Sequence, residues 1–194
     1  MTASRLPLVA RGRIVQRQTL LDKDLLYLFS YDANLEMRRD EIGFVPGGVR
    51  VNIFAKPRDT RVYHVARERT TTGSRTIQGS VEWGTDWALI RTDDIGSLDV
   101  RLTIKTDDGA TIFSWYKGVF PSGDRGFRKL ISEDPLVGSE QHPVEAPVYV
   151  TPHYETADPR YAWIGQHQCV GFGRIKIVKS LVRSVSFDIY AMDA

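Results

Sequence analysis

The sequence has a single cysteine, Cys169, among its 194 residues. One cysteine excludes an intramolecular disulfide and predicts a reducing compartment, the cytoplasm. No apolar run is long enough to cross a membrane, and the first thirty residues lack the apolar stretch and small-residue cleavage site of a signal peptide. We therefore expect a cytoplasmic protein with no membrane contact. Because Cys169 precedes Val170 in an apolar segment, its thiol is expected in the core, not at a nucleophilic site.

An excess of one charge is also missing. The chain carries 26 basic and 24 acidic residues, a net charge of +2, and this balance argues against a nucleic-acid partner. No glycine-rich phosphate loop precedes a helix, and no pair of histidines has metal-ligand spacing. The four histidines are scattered along the chain at His64, His142, His153 and His167. We expect no metal site.

The clearest structural signal is a run of short alternating segments. Residues 98–105 place Leu98, Val100, Leu102 and Ile104 on one face and polar side chains on the other, as expected for a strand with unlike faces. Asp107-Asp108-Gly109 has the residue types of a tight hairpin turn, after which Ala110 to Lys117 returns beside the first strand.

Similar patterns recur along much of the chain outside residues 119–146. They predict one all-β domain over residues 1–194, a single antiparallel β-barrel of about ten strands, because closing the sheet removes exposed edges. Asp158-Pro159 predicts one short helix, residues 33–41 predict a single helical turn, and residues 119–146 predict a long loop or lid. The remaining predicted strands are 12–21, 24–31, 49–55, 62–69, 75–83, 86–91, 148–156, 166–173 and 181–192.

Asp99 and Arg101 leave their strand on the same side, which permits two interpretations. They form either a buried acid–base pair in a site or a surface ion pair. The continuous apolar row opposite them favours the surface, because that row is the one expected inside. The apolar strand 25–31 competes with that row for a small interior, so we also expect one of the two to meet a second subunit in a homodimer.

Several short motifs resemble the family called domain of unknown function 3237. They are Gly84-Thr85-Asp86-Trp87, Leu98-Asp99-Val100-Arg101, Thr106-Asp107-Asp108-Gly109-Ala110-Thr111-Ile112, Tyr154-Glu155-Thr156, Asp158-Pro159-Arg160-Tyr161-Ala162-Trp163 and Phe187-Asp188-Ile189-Tyr190. Together they cover residues 75–192 in order. The resemblance implies a small, usually oligomeric antiparallel barrel. For some similar proteins it implies a cofactor-independent lyase that decarboxylates a lignin-derived, phenylcoumaran-type aromatic acid while an aryl ether ring opens to a stilbene.

That reaction assigns roles to particular residues. It needs a base for the substrate's phenol, a proton donor for the departing oxygen, a cation for the carboxylate and aromatic walls. The candidates are Asp86, Asp99 or Tyr154 as base; Tyr161 or Tyr116 as donor; Arg101 as the cation, with Arg50 or His64 in reserve; and Trp87 and Trp163 as walls. The alternative is a non-catalytic binding protein for a small aromatic or hydrophobic ligand, in which Asp99 and Arg101 only tie two strands together.

Overall fold

Extended backbone makes up most of the described structure. The computed structural model describes residues 25–63, 76–121, 144–178 and 181–192. Within these ranges there are nine strands, one 3-10 turn at Ala162–Gln166 and no α-helix, so the predicted all-β class is confirmed. The strands are β1 (Leu25–Val45), β2 (Gly48–Tyr63), β3 (Gly79–Asp86), β4 (Leu89–Arg91), β5 (Ile95–Thr106), β6 (Thr111–Pro121), β7 (Val144–Glu155), β8 (Cys169–Val178) and β9 (Leu181–Met192).

These strands form one antiparallel sheet that closes on itself. Its order is β1-β9-β8-β7-β6-β5-β3-β2-β4, and β1 also pairs with β2 to join the two sides. Closure removes the long unpaired edges that an open sheet of this size would expose. The predicted barrel is confirmed.

Some predicted segments fall differently in the structure, or outside it. The separate strands expected at 49–55 and from Val62 are parts of the single long β2. Residues 33–41 continue β1, so the predicted helical turn is wrong: the pairing of β1 with β2 overrides the local helical tendency. The predicted strand 12–21, and residues 122–143 of the predicted loop, lie outside the described residues.

The alternation predicted for β5 decides which residues form the core. Val100, Leu102 and Ile104 are buried inside the barrel, and Arg101 on the opposite face is exposed. The pattern of period two therefore separated the interior from the surface correctly.

The apolar start of β1 is buried on both of its faces. The side chains from Tyr27 to Tyr31 are all less than 5% exposed. The apolar row of β5 and this segment of β1 are thus both covered within one chain. Neither row requires a second subunit, so competition between the two rows for the interior is no ground for a homodimer.

One end of the barrel is covered by the segment that follows β7. Its 3-10 turn buries Trp163 and Ile164, which join the hydrophobic core. The helix begins at Ala162, later than Asp158-Pro159 suggested. Asp158 instead accepts a hydrogen bond from the backbone N–H of Arg160 at 3.0 Å and forms a tight turn before the helix.

Candidate functional site

A break in strand pairing positions Asp86. This residue ends β3, where it pairs with Val100 of β5 and Ile53 of β2, and regular pairing resumes only at Leu89 of β4. Across the break, the Trp87 N–H donates to the carbonyl oxygen of Asp99 at 3.0 Å. Such irregularities re-aim a side chain locally, and here the Asp86 carboxylate oxygen Oδ1 accepts the backbone N–H of Asp99 at 2.9 Å.

The surroundings of Asp86 disfavour its charged form. Burial raises the pKa of this carboxyl to about 7 from its ordinary value of 3.8. The N–H bond from Asp99 and the nearby positive charge of Arg50 oppose the rise, while the carboxylate of Asp99 adds to it. Desolvation is the largest of these causes, as expected for a carboxyl that faces a barrel interior. Near neutral pH, Asp86 is therefore able both to accept and to release a proton.

Two buried tyrosines meet across the interior near Asp86. Tyr31 of β1 donates its hydroxyl proton to the Tyr116 hydroxyl oxygen of β6, with the oxygens 3.0 Å apart. In the sheet these strands are separated by β9, β8 and β7, so the bond crosses the barrel. Burial raises the pKa of both phenols, and the negative charge of Asp86 raises them further. Both tyrosines stay protonated at neutral pH and act as donors.

A second group of side chains fills the layer beside this pair. Tyr31, Val81, Leu102, Ile104, Ser114 and Tyr154 surround a void too small to admit a water molecule. The buried Ser114 Oγ has no hydrogen-bond partner among the described residues. Its hydroxyl is close enough to Tyr154 to act toward lowering the pKa of that phenol. Burial nevertheless raises the pKa of Tyr154 well above its usual range. Tyr154 therefore stays protonated, which makes it a poor base.

A cation lies close to Asp86. The Arg50 Nη1 donates to the backbone carbonyl of Trp87, the residue that follows Asp86, at 2.7 Å. A guanidinium carries five donors, and among the described residues Arg50 commits one of them to this carbonyl, so the others are able to bind an anionic ligand. Trp87 itself is 42% exposed.

The predicted pair of Asp99 and Arg101 lies on the outer surface. Arg101 Nη1 donates to Asp99 Oδ1 at 2.9 Å, and both side chains are more than a third exposed. The alternation of β5 favoured the outer surface for this pair, and the structure places it there. Only the backbone N–H of Asp99 reaches the interior carboxylate of Asp86.

Tyr161 and Trp163 lie at the covered end of the barrel. The Tyr161 hydroxyl donates to Asp108 Oδ2 at 2.9 Å, in the turn between β5 and β6. The turn follows Thr106. Thr106 lies six residues along β5 from Val100, the partner of Asp86, and six residues of strand span about 20 Å. Neither aromatic residue is placed with Asp86 and Tyr116.

The remaining predicted residues have simpler outcomes. His64 lies outside the described residues. Cys169 is buried, and burial raises the pKa of its thiol to about 12, in keeping with a core residue. Sequence reasoning missed Tyr31 and Ser114. Tyr31 shares the face of β1 that carries Phe29, so its inward direction was readable from the alternation, but its partner across the barrel was not.

The described residues hold no group of three or more His, Cys, Asp and Glu side chains that is suited to a metal ion. Among them there is also no helix of the length and apolar character needed to span a membrane.

The sequence comparisons place this barrel in a family. The family described as "Protein of unknown function (DUF3237)" matches residues 41–192, most of the chain. The chain belongs to the DUF3237 family. A UPF0311 protein of Rhodopseudomonas palustris is 28% identical to it over 96 residues, which cover 49% of this chain and 60% of that protein. The match thus spans less than two thirds of this relative's length.

Solved structures share the fold of this DUF3237 chain. A protein of unknown function from Rhodopseudomonas palustris superposes with a TM-score of 0.63 at 23% identity, covering 87% of this chain and 96% of its own. A protein of unknown function from Clostridium acetobutylicum gives a TM-score of 0.63 at 21% identity, covering 88% and 99%. An enzyme from Penicillium herquei gives 0.51 at 15% identity, covering 88% and 94%. At these identities the likeness concerns the fold alone.

Proposed function

We propose that this protein is a cofactor-independent lyase that decarboxylates a small aromatic carboxylic acid carrying a free phenol, of the phenylcoumaran type found among lignin fragments. The observation that carries the proposal is Asp86, a half-buried carboxyl on the inner row of β3 whose pKa burial raises to about 7. A general base works best when its pKa is close to the working pH. The base, its hydroxyl neighbours and a cation lie in one part of the barrel.

The reaction follows from proton transfer to Asp86. When Asp86 takes the phenol proton, electrons from the phenolate break the benzylic carbon–oxygen bond of the aryl ether and leave a quinone methide. The carboxylate on the adjacent carbon is then lost as carbon dioxide, and its bonding electrons form the stilbene double bond and restore the phenolate. Asp86 returns its proton to that phenolate, and the departed ether oxygen takes one proton from solvent. The substrate's own phenol thus supplies the electrons.

We assign the other roles differently from the sequence hypothesis. Arg50 is the cation assigned to the substrate carboxylate, because it lies close enough to Asp86 to lower its pKa, whereas Arg101 is paired on the outer surface. Asp86 takes the role of base in preference to Asp99 and Tyr154. Tyr116 is kept as an interior hydrogen-bond donor and not as the acid for the departing oxygen, which takes its proton from solvent. The Tyr161 hydroxyl is bonded to Asp108.

Two similarities support this proposal. The resemblance of the sequence motifs to similar proteins with lyase activity supplies the reaction class. A structural neighbour from Penicillium herquei is described as an enzyme, which supports a catalytic use of this fold.

The proposal is tested by supplying the protein with a panel of phenolic aromatic carboxylic acids and following stilbene absorbance and carbon dioxide release. We expect turnover of at least one phenylcoumaran-type acid. Arg50→Lys keeps the charge but loses the paired donors, so kcat/KM should fall roughly 10-fold to 100-fold. Arg101→Lys makes the same chemical change on the outer surface and should leave kcat/KM within about twofold.

The panel also separates catalysis from binding. Tight binding of a panel acid that is recovered unchanged would contradict the lyase and favour a binding protein for small aromatic ligands. Loss of activity in Arg101→Lys with Arg50→Lys unaffected would return the carboxylate role to Arg101.

The proposal includes a cytoplasmic homodimer, as the sequence analysis expected. Its present support is the usual oligomeric state of the proteins that the motifs resemble. Multi-angle light scattering at micromolar concentration should give twice the chain mass of 22.0 kDa. A monomer under those conditions would exclude the dimer and leave the proposed chemistry untouched, because every residue of the site comes from one chain.

A further inference from the structure

The direction of the bond between the two interior tyrosines leaves one proton uncommitted. Tyr31 donates its hydroxyl proton to the Tyr116 oxygen. The hydroxyl of Tyr116 therefore retains its own proton to donate, and no described residue accepts it. Tyr116 is 5% exposed and Tyr31 4%. A buried hydroxyl whose proton has no acceptor costs folding free energy, and a ligand that accepts the proton removes that cost.

The uncommitted proton lies in the same row of the barrel as the Asp86 carboxyl. Asp86 pairs directly with Val100, and Val100 pairs directly with Tyr116. Paired residues project to the same face, so both side chains lie on the inner face two strands apart, about 10 Å between their Cα atoms. A hydroxyl donor and a carboxyl on the same inner row are complementary to one oxygen that both accepts and donates a hydrogen bond.

We propose that Tyr116 and Asp86 bind a single phenol oxygen between them, and that Tyr31 is the positioning residue that holds the Tyr116 hydroxyl ready to donate. This inference rests on the proposed function, for which it names the site of the reacting phenol. The substrate oxygen accepts a hydrogen bond from Tyr116 and donates its own to Asp86. When the proton moves to Asp86, the negative charge forms on an oxygen that already has a donor.

The Tyr31 bond strengthens that donor. A hydroxyl that accepts a hydrogen bond becomes a better donor, because chains of hydrogen bonds polarise one another. A phenolate benefits more than a neutral phenol, since hydrogen bonds to charged groups are about twice as strong. Tyr31 thus acts on the ionisation of the substrate without touching it.

The experiment uses 4-nitrophenol, a phenol without carboxylate or ether, whose ionised form is yellow. Its affinity and the yellow fraction of the bound probe are measured at neutral pH for wild type, Tyr116→Phe, Tyr31→Phe and Tyr63→Phe. Tyr63 is the matched control, because its hydroxyl also donates to another side chain, Asp32, but outside the proposed site. Thermal unfolding of each variant checks that the protein is folded.

We expect Tyr116→Phe to weaken binding about 10-fold or more and to reduce the yellow fraction. Tyr31→Phe should weaken binding several-fold and also reduce the yellow fraction, a spectroscopic change that a purely structural role would not produce. Tyr63→Phe should match wild type. The proposal is overturned if wild type does not bind the probe, if Tyr116→Phe binds as wild type, or if Tyr63→Phe is weakened equally.

The same measurements distinguish this inference from the lyase proposal. Since the probe cannot be decarboxylated, tyrosine-dependent binding without turnover of any panel acid would sustain the phenol site and refute the lyase. Turnover of a panel acid that is unaffected by Tyr116→Phe would do the reverse.

Discussion

Replacing Asp86 by asparagine should stabilise the protein, increasingly so as the pH rises from about 4 to about 7. The folded chain holds the Asp86 proton up to a pKa of about 7, whereas the unfolded chain releases it near 3.8. The stability associated with that proton is fully present below the ordinary pKa and is lost as the pH rises through the folded value. Asparagine has no charge to bury and still accepts the Asp99 N–H. The gain above pH 7 should reach at most about 4 kcal/mol.

Urea unfolding of wild type and Asp86→Asn at several pH values measures this difference directly. Asp99→Asn is the matched control, because its carboxylate is exposed and paired with Arg101. It should shift stability by no more than about 1 kcal/mol. A wild type and an Asp86→Asn variant that unfold in parallel at every pH would show that Asp86 is ionised normally.

The same variant should lose catalysis while it gains stability. General-base catalysis contributes about 10²-fold to 10⁴-fold to a rate, so kcat of Asp86→Asn should fall by at least 100-fold on any panel acid that wild type converts. Opposite effects on stability and activity are typical of a group held in an unfavourable state for function. Activity retained by Asp86→Asn would assign the base to another residue.

Phe29→Ala should produce the largest loss of stability, about 3–5 kcal/mol. Phe29 is completely buried on the inner face of β1, with its ring edge against Tyr154 at a centroid distance of 5.8 Å. Removing it deletes a large apolar surface and leaves a cavity that the rigid barrel fills only in part.

Phe172→Ala provides the comparison. Phe172 has the same side chain on β8 but is 44% exposed. Its removal should cost about 1 kcal/mol or less, because much of its ring already contacts water. Chemical denaturation of both variants tests the pair, and equal losses would contradict the assignment of the inner and outer faces.

Local patterns were enough to predict β5, its buried face and the turn that follows it. The alternation over residues 98–105 predicted both the β5 strand and its buried face. Asp107-Asp108-Gly109 predicted the hairpin turn, where Gly109 adopts a φ of +95° that disfavours other residues. These features are readable because side-chain direction and turn geometry depend on neighbours in sequence.

The candidate site was only partly predictable. The sequence offers Asp86 as a candidate base and Tyr116 as a candidate proton donor, whereas Tyr31 lies in a segment that is mostly apolar. Asp99 and Arg101 are an acid and a base on one face of a strand, the pattern of either a catalytic pair or a surface ion pair. Their adjacency on one strand face was readable, but their distance from the interior hydroxyls was not.

The sequence by itself determined the barrel class, most strand positions and the alternation that places Val100 inside and Arg101 outside. Only the tertiary structure decided that β1 and β6 face each other across the interior, that Tyr31 donates to Tyr116, and that Asp86 pairs with Val100 in the row that Tyr116 extends. The physical reason is that strand register and closure depend on pairing between distant segments. A shift of one residue in that pairing would turn these side chains to the opposite face without changing any local pattern.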